Sequence, residues 1–142
     1  MNQKESLHHV IATEQIVMRM YQALDRNDYT GASRCFLRDG SWKRGDISLD
    51  GQQAILSSLK QRSATLFTRH YVGNFVVLEH SGKIAKAAFC LTVYRSDKGT
   101  PPTLPVAEAV PAMLADVECE LACSDGGNWL IKRLEAWITF SA

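Results

Sequence analysis

The sequence predicts an α+β fold in which helices occupy the first half of the chain and antiparallel strands the second half. Three observations support this prediction. Apolar residues recur at helical spacing from Ser6 to about Arg26, and again after Asp50. From Thr68 onward the chain consists of long segments rich in β-branched and aromatic residues. Short glycine-containing turns join these segments in pairs, so we expect one antiparallel sheet wrapped around one helical layer.

The composition is that of one globular domain spanning residues 1–142. Hydrophobic residues make up 46% of the chain and charged residues 22%, which is ordinary for a soluble protein. The formal net charge of +1 gives no electrostatic reason to expect a nucleic-acid or membrane partner. No apolar run approaches the ~20 residues of a spanning helix, and the N-terminus lacks a signal-peptide core. We therefore expect a cytoplasmic protein.

The four cysteines indicate neither disulfides nor a metal site. None belongs to a C-x-x-C pair, and none has histidines at metal-ligand spacing. Cys119 and Cys123 share a face of a predicted strand, but at ~3.3 Å per residue they lie about 13 Å apart, too far for a disulfide. We expect these two, with Cys35 and Cys90, to be reduced apolar fillers.

The first predicted helix, from Ser6 to about Arg26, carries carboxylates inside its apolar stripe. At about 100° per residue, Glu14 and Asp25 both project near the centre of the stripe, and Tyr21 lies one turn before Asp25. An unpaired buried carboxylate costs several kcal/mol, so an inward acid requires a partner or a function. The stripe consists of Leu7, Val10, Ile11, Val17, Met18, Tyr21 and Leu24.

Shorter elements are predicted between this helix and Thr68. Asp28 is placed to cap a second helix, since its carboxylate can accept hydrogen bonds from the free N–H groups of the first turn. The predicted order is a helix from Tyr29 to about Phe36, a turn at Arg38–Gly40, a strand around Ser41–Lys43, a turn at Arg44–Asp46, and a helix from Gln52 to about Ser63.

The segment from Thr68 to Leu78 is predicted to be the first long strand. Side chains alternate in a strand, and here both sides are largely apolar, so we expect both to be covered. One side would carry His70, Val72, Asn74, Val76 and Leu78, and the other Tyr71, Gly73, Phe75 and Val77.

Three further strands are predicted over Lys83–Arg95, Ala112–Ser124 and Asn128–Phe140. The connection from Ser96 to Pro111 contains all four prolines, so it is neither regular sheet nor helix. The third long strand alternates, with Met113, Ala115, Val117, Cys119 and Leu121 facing inward and Asp116, Glu118 and Glu120 facing water.

The last strand is apolar on both faces. A sheet that is covered on one side only does not need apolar side chains on its second face. These side chains therefore predict a homodimer through the sheet, to which Phe75 and Val77 would also contribute. One face would carry Leu130, Leu134, Ala136, Ile138 and Phe140, and the other Trp129, Ile131 and Trp137.

The element order and four short segments resemble the nuclear transport factor 2-like superfamily, and within it the SnoaL-like enzymes and scytalone dehydratase. The segments are Tyr21–Tyr29, Gly40–Gly51, Thr68–Asn74 and Gly126–Lys132, and the resemblance covers nearly the whole chain. It implies a cone-shaped curved sheet closed against three N-terminal helices. It also implies a deep pocket near the end of the first helix, and dimers that pair through the outer face of the sheet.

The resemblance implies a catalytic pair. In scytalone dehydratase the residues that match Asp25 and His70 form such a pair, in which the carboxylate holds the imidazole that moves protons. The positions of these residues in the sequence also favour such a pair, because Asp25 is predicted to point inward and His70 lies on the strand that the helix would cover. Tyr21 could donate a hydrogen bond to a carbonyl oxygen and stabilise an enolate. A ligand-orienting role or a purely structural ion pair are the alternatives.

Three further residues are candidates for substrate binding. Trp42 and Trp137 could line the pocket, with a place in the core as the alternative for each. Asn74 could bind substrate from the face of His70, or satisfy backbone groups at a bulge near Gly73.

The sequence also departs from scytalone dehydratase. Leu24 and Trp42 stand where that enzyme has tyrosines, and the third long strand has no histidine near Ala115. Scytalone dehydration itself is therefore not expected.

The predicted function is that of a cofactor-independent lyase or isomerase that acts on a hydrophobic cyclic small molecule. The reaction would begin with proton abstraction from carbon next to a carbonyl, with no metal and no cofactor. One alternative is a non-catalytic binding module for a hydrophobic ligand. Another is a structural subunit resembling the small subunit of ring-hydroxylating dioxygenases, which packs beneath a metal-bearing partner.

Overall fold

Three helices pack against one curved six-stranded sheet in a computed structural model, which describes residues 2–107 and 110–142. The strand order is β2-β1-β6-β5-β4-β3. Neighbouring strands are antiparallel except β1 and β6, which are parallel. The predicted α+β fold is confirmed. In chain order the elements are α1 (Gln3–Asp25), α2 (Tyr29–Arg34), β1 (Phe36–Arg44), β2 (Ile47–Asp50), α3 (Gln52–Lys60), β3 (Phe67–His80), β4 (Ile84–Ser96), β5 (Met113–Cys123) and β6 (Trp129–Ser141).

Both N-terminal helices begin at side-chain caps. The Asn2 side chain accepts a hydrogen bond from the Glu5 N–H, and the Glu5 carboxylate accepts one from the Asn2 N–H, which forms a capping box. The Asp28 carboxylate accepts from the Gly31 N–H at 3.0 Å, so the predicted cap of α2 is confirmed. Glu14 is half-buried and has no hydrogen-bond or ion-pair partner among the described residues.

Strand β1 corrects the sequence prediction between Phe36 and Ser41. Phe36 begins the strand instead of ending α2, and the predicted turn at Arg38–Gly40 is an irregular stretch where the register with β6 shifts. A Cβ at Gly40 would lie 2.9 Å from the Ile131 carbonyl oxygen, so glycine permits this close approach of the two strands. The turn after Arg44 is confirmed, and it leads into β2, which was not predicted.

A bulge in β3 reverses its two faces after Gly73. Gly73 pairs with Cys90 and Val76 with Ala88, so β3 has one residue more than β4 over this interval. Asn74 lies within it, with a φ of 51°. The prediction that Asn74 shares the face of His70 is therefore wrong. Val76 and Leu78 are exposed on the outer face, whereas Phe75 and Val77 pack against the core.

A bulge in β6 also reverses which residues of the strand face the core. Glu120 pairs with Arg133 and Leu121 with Ile131, which leaves Lys132 as the extra residue. Trp129, Ile131, Leu134 and Ala136 consequently all face the core. Of the five residues predicted to form an apolar outer face, Phe75, Val77, Trp129, Ile131 and Trp137, only Trp137 lies there.

Strand β5 alternates as predicted, with Ala115, Val117, Cys119 and Leu121 buried and Asp116 exposed. The predicted long connection before it lies outside helices and strands over residues 97–107 and 110–112. Positions 108 and 109 are outside the described residues. No helix in the described part of the chain has the length and hydropathy needed to cross a membrane.

Candidate active site

The end of α1 is fastened to β3 by one carboxylate. Asp25 Oδ1 accepts hydrogen bonds from His70 Nδ1 at 2.5 Å and from the Thr68 hydroxyl at 2.9 Å. Asp25 Oδ2 accepts from the His70 backbone N–H at 2.7 Å. The side chains of His70 and Asp25 are only 10% and 9% exposed. The carboxylate therefore binds both the ring and the backbone of His70 and fixes their positions.

Local sequence places these groups together. Val17, Tyr21 and Leu24 are buried on the inner side of α1, and Asp25 ends the helix next to them. Thr68 and His70 are two residues apart on β3, so they project from the same face before the bulge. Thr68 was not among the predicted site residues. Its spacing of two from His70 is the signal in the sequence that could have identified it.

The hydrogen bonds keep the carboxyl group of Asp25 ionised. Burial raises its pKa, but the side-chain and backbone hydrogen bonds from His70, the charge of His70 and the Thr68 hydroxyl together outweigh burial and lower the pKa below its usual value. An ionised carboxylate only accepts hydrogen bonds, so the ring proton lies on Nδ1. His70 Nε2 has no partner in the described part of the chain and is not sealed from solvent. In the neutral ring Nε2 carries no proton and can act as a base.

Tyr21 stacks on the ring of His70. Their centroids are 5.3 Å apart with an interplanar angle of 28°, and the edge of Tyr21 meets Phe89 at 6.1 Å. Burial raises the pKa of Tyr21 well above its usual value, so the hydroxyl keeps its proton. The Tyr21 side chain is buried, and no described residue bonds to its hydroxyl. Among the described residues it is a hydrogen-bond donor without an acceptor, on a ring that stacks on the imidazole.

A cleft of about 420 Å³ lies between α1 and β3 beside this pair. Arg69 borders it and donates to the carbonyl oxygens of Thr68 at 2.7 Å and Asp25 at 3.4 Å. The sequence prediction did not include the two arginines of this cleft. The residues that line it are Met18, Tyr21, Gln22, Asp25, Arg26, Arg69, His70, Tyr71 and Val72.

The structure brings together three of the six predicted site residues, Asp25, His70 and Tyr21. The other three were wrongly placed at the pocket. Trp42 is 3% exposed and stacks on Phe36 in the core. Asn74 and Trp137 lie on the outer face of the sheet, where they border a separate groove of about 540 Å³, the outer groove. The bulge in β3 explains the position of Asn74, and it lies next to Gly73 as predicted. The described residues show no hydrogen bond from the Asn74 side chain to backbone groups there.

The described residues contain no group of three His, Cys, Asp or Glu side chains that could hold a metal ion.

Comparisons with known proteins identify the family and the fold of the chain. A family model described as a SnoaL-like domain matches residues 5–135. The structure is similar to that of a protein from Novosphingobium aromaticivorans named provisionally as a scytalone dehydratase, with a TM-score of 0.85 and 17% identity over 99% of this chain and 91% of that one. It is also similar to a type 2 hexachlorocyclohexane dehydrochlorinase, with a TM-score of 0.80 and 14% identity over 99% and 92% of the two chains.

A third similar structure has a name that describes its fold. It is a nuclear transport factor 2-like protein with a cystatin-like fold, also from Novosphingobium aromaticivorans, with a TM-score of 0.74 and 18% identity over 96% of this chain and 88% of that one. At these identities the similarity shows a shared fold. The predicted superfamily and cone-like architecture are confirmed. No curated protein matches the chain.

Proposed function

The chain belongs to the SnoaL-like domain family, and on that premise we propose that it is a lyase or isomerase that removes a proton from a carbon next to a carbonyl group. Two proteins of similar structure are named for eliminations, one of water and one of hydrogen chloride, which supports this class of reaction. The observation that carries the proposal is the 2.5 Å contact of Asp25 with His70 Nδ1, which leaves Nε2 free.

The mechanism assigns one role to each residue of the site. His70 Nε2 takes the proton, and the positive charge that forms on the ring is stabilised by the Asp25 carboxylate at Nδ1. The Tyr21 hydroxyl donates to the carbonyl oxygen as negative charge develops there. The electron pair then expels a leaving group from the next carbon, which gives a lyase, or is reprotonated at another carbon, which gives an isomerase. In the lyase the imidazolium of His70 gives its proton to the departing group or to water, and in the isomerase it gives the proton to the new carbon. The ring is then neutral again, and the reaction needs no cofactor.

A non-catalytic binding module for a hydrophobic small molecule is the second candidate. One observation favours it, namely that the inward residues of β5, from Met113 to Leu121, include no side chain suited to proton transfer at neutral pH. Burial raises the pKa of the Cys119 thiol on this face to about 12. Any second acid or base would therefore have to come from another element.

We also propose that two copies of the chain pair through the outer face of the sheet. The support comes from apolar side chains that are exposed there, although they are largely not those predicted from the sequence. Leu78 is 59% exposed, Trp137 45% and Phe140 70%. Val76, Leu78 and Trp137 border the outer groove, and Phe140 lies farther along β6, where it pairs with Leu114. Exposed apolar side chains of this kind are what subunit interfaces cover.

Exchange of the acidic proton tests the enzymatic proposal without knowledge of the leaving group. Cyclic ketones are incubated with the protein in D₂O, and loss of the α-proton signal is followed by NMR. We expect Asp25→Asn and His70→Gln each to slow exchange by about 100-fold or more, the usual effect of losing a general base. The matched control is His8→Gln at an exposed histidine of α1. If both site variants catalyse exchange at the wild-type rate, the assignment of Asp25 and His70 is wrong.

A further inference from the structure

We propose that Arg44 is a binding subsite for a carboxylate, so that the natural ligand is a small apolar acid that also carries a carbonyl group. This inference rests on the proposed function, because it names the substrate class of the same site. Its observations concern Arg44, a half-buried cation that the mechanism does not use.

Arg44 is held on the inner side of the sheet. It is the last residue of β1, where it pairs with Ala136, which packs against the core. Its guanidinium carbon lies 4.5 Å from the ring centroid of Trp42, two residues earlier on the same face. Trp42 is buried and stacked on Phe36, so the guanidinium of Arg44 rests on a rigid aromatic surface.

The guanidinium of Arg44 has no anionic partner among the described residues. No hydrogen bond or ion pair to it is formed by residues 2–107 or 110–142. Its Nε is sealed from solvent without an acceptor, whereas the two Nη groups also lack acceptors but are not sealed. Burial lowers the pKa of Arg44, and the charge of Arg62 lowers it further, yet an arginine stays protonated in proteins. Arg44 is therefore a permanent cation with two free donor groups.

The nearby charges favour an anion over a neutral ligand. Arg62 adds a second cation, and its two Nη groups each already donate one hydrogen bond, to the Leu24 carbonyl oxygen and to the Thr68 hydroxyl. The carboxylate of Asp25 is occupied by His70 and Thr68. A guanidinium with two free Nη groups matches one planar carboxylate in a two-point contact. A phosphate dianion would need further free donors.

Tyr21 connects this subsite to the candidate active site. Its ring stacks on His70, and both Tyr21 and Arg44 face the interior between α1 and the sheet. The positive charge of Arg44 lowers the pKa of the Tyr21 hydroxyl, against the larger opposing effect of burial. Arg44 does not line the 420 Å³ cleft, so a ligand that reaches both Arg44 and His70 would have to extend from this cleft past Tyr21. The carboxylate would lie at Arg44 and the carbonyl oxygen at Tyr21, with the acidic carbon facing His70 Nε2.

Matched probes that differ only in charge test the inference. The wild-type protein is titrated with 4-oxocyclohexanecarboxylate and with the amide of that acid, and binding is followed by NMR. We expect the carboxylate to bind at least about tenfold more tightly, which is the scale of one charge-assisted hydrogen bond. We also expect it to shift the Nε–H signal of Arg44. Equal affinity for the two probes, or an unchanged Arg44 signal on carboxylate binding, would overturn the proposal.

Variants separate the subsite from the catalytic pair. Arg44→Gln should abolish the preference for the carboxylate, Arg44→Lys should keep part of it, and the control Arg38→Gln, at an exposed arginine of the same strand, should keep all of it. Inorganic phosphate should compete poorly, and competition as strong as that of the carboxylate would contradict the assigned class. Asp25→Asn should retain the preference. Loss of the preference in Asp25→Asn would place the carboxylate elsewhere.

The two proposals can fail separately. If Arg44 selects the carboxylate while Asp25→Asn and His70→Gln leave proton exchange unchanged, the proposed function fails and the subsite stands. If those variants stop exchange of neutral ketones while Arg44→Gln changes no affinity, the subsite fails and the proposed function stands.

Discussion

Asp25 binds His70 at two points, with one carboxylate oxygen on ring Nδ1 at 2.5 Å and the other on the backbone N–H at 2.7 Å. One contact sets which ring nitrogen carries the proton, and the other ties the end of α1 to the backbone of β3. Asp25 therefore couples the chemistry of the site to the packing of the helix. Changes at Asp25 should alter both activity and stability, and the two effects can be separated.

Stability should depend on pH through Asp25. The folded-state pKa of Asp25 is lowered, so its stabilising contribution is present above the pKa of the unfolded chain, near ~3.9, and is lost as the pH falls through the folded-state value. The difference in free energy of unfolding between wild type and Asp25→Asn should shrink as the pH is lowered below about 4. Urea unfolding at pH 7 and at acidic pH measures it.

The matched control for this measurement is Asp39→Asn. Asp39 is exposed on β1 and has no hydrogen-bond partner among the described residues. A wild-type advantage over Asp25→Asn that stays constant down to acidic pH would mean that the carboxylate is not stabilised as described.

Tyr21→Phe should reduce activity with little effect on stability. The substitution keeps the stacking on His70 but removes the donor to the developing oxyanion, a loss of roughly 100-fold in rate. Because the hydroxyl has no partner among the described residues, no hydrogen bond of the folded protein is lost. Proton exchange and thermal unfolding are measured side by side, with Tyr94→Phe on β4 as the control. Full activity in Tyr21→Phe would exclude the hydroxyl from the mechanism.

Gly40→Ala should destabilise the protein, whereas Gly73→Ala should not. A Cβ at Gly40 would lie 2.9 Å from the Ile131 carbonyl oxygen and 3.0 Å from that of Leu37, and backbone atoms cannot move away cheaply. A Cβ at Gly73 meets nothing within 4 Å. We expect a loss of about 1–3 kcal/mol for Gly40→Ala, the range for overpacking. Denaturant unfolding of the two variants gives the comparison, and equal stabilities would contradict the close approach of β1 to β6.

Charge on the outer face should dissociate the proposed dimer. Trp137→Arg places a cation in the apolar surface around the outer groove, where a partner would have to desolvate it. Sedimentation at micromolar concentration should show a dimer for the wild type and a folded monomer for the variant. We expect the dimer interface to bury at least roughly 1,200 Å², the lower limit for stable interfaces. Ile11→Arg, at an exposed residue of α1, should remain dimeric. A monomeric wild-type protein would refute the assembly.

The sequence by itself determined those elements whose pattern depends only on residues close together in the chain. The apolar spacing that predicted a helix from Ser6 to about Arg26 corresponds to α1 at Gln3–Asp25, because a helical stripe depends only on neighbours three and four residues away. The alternation in β5 and the cap at Asp28 were predictable for the same reason. The inward direction of Asp25 followed from its place on that stripe next to Tyr21.

Only the tertiary structure decided which strand faces meet the core. The extra residues at the bulges of β3 and β6 reverse the alternation, and such bulges cannot be located until the partner strand is known. For this reason Asn74 lies on the outer face and Trp129 in the core, each opposite to the face predicted from the sequence. The parallel pairing of β1 with β6 likewise joins residues some 90 positions apart, and it places Arg44 inside the sheet. Strand pairing between distant segments has no local signature in a single sequence, because its free energy arises only when the two segments meet.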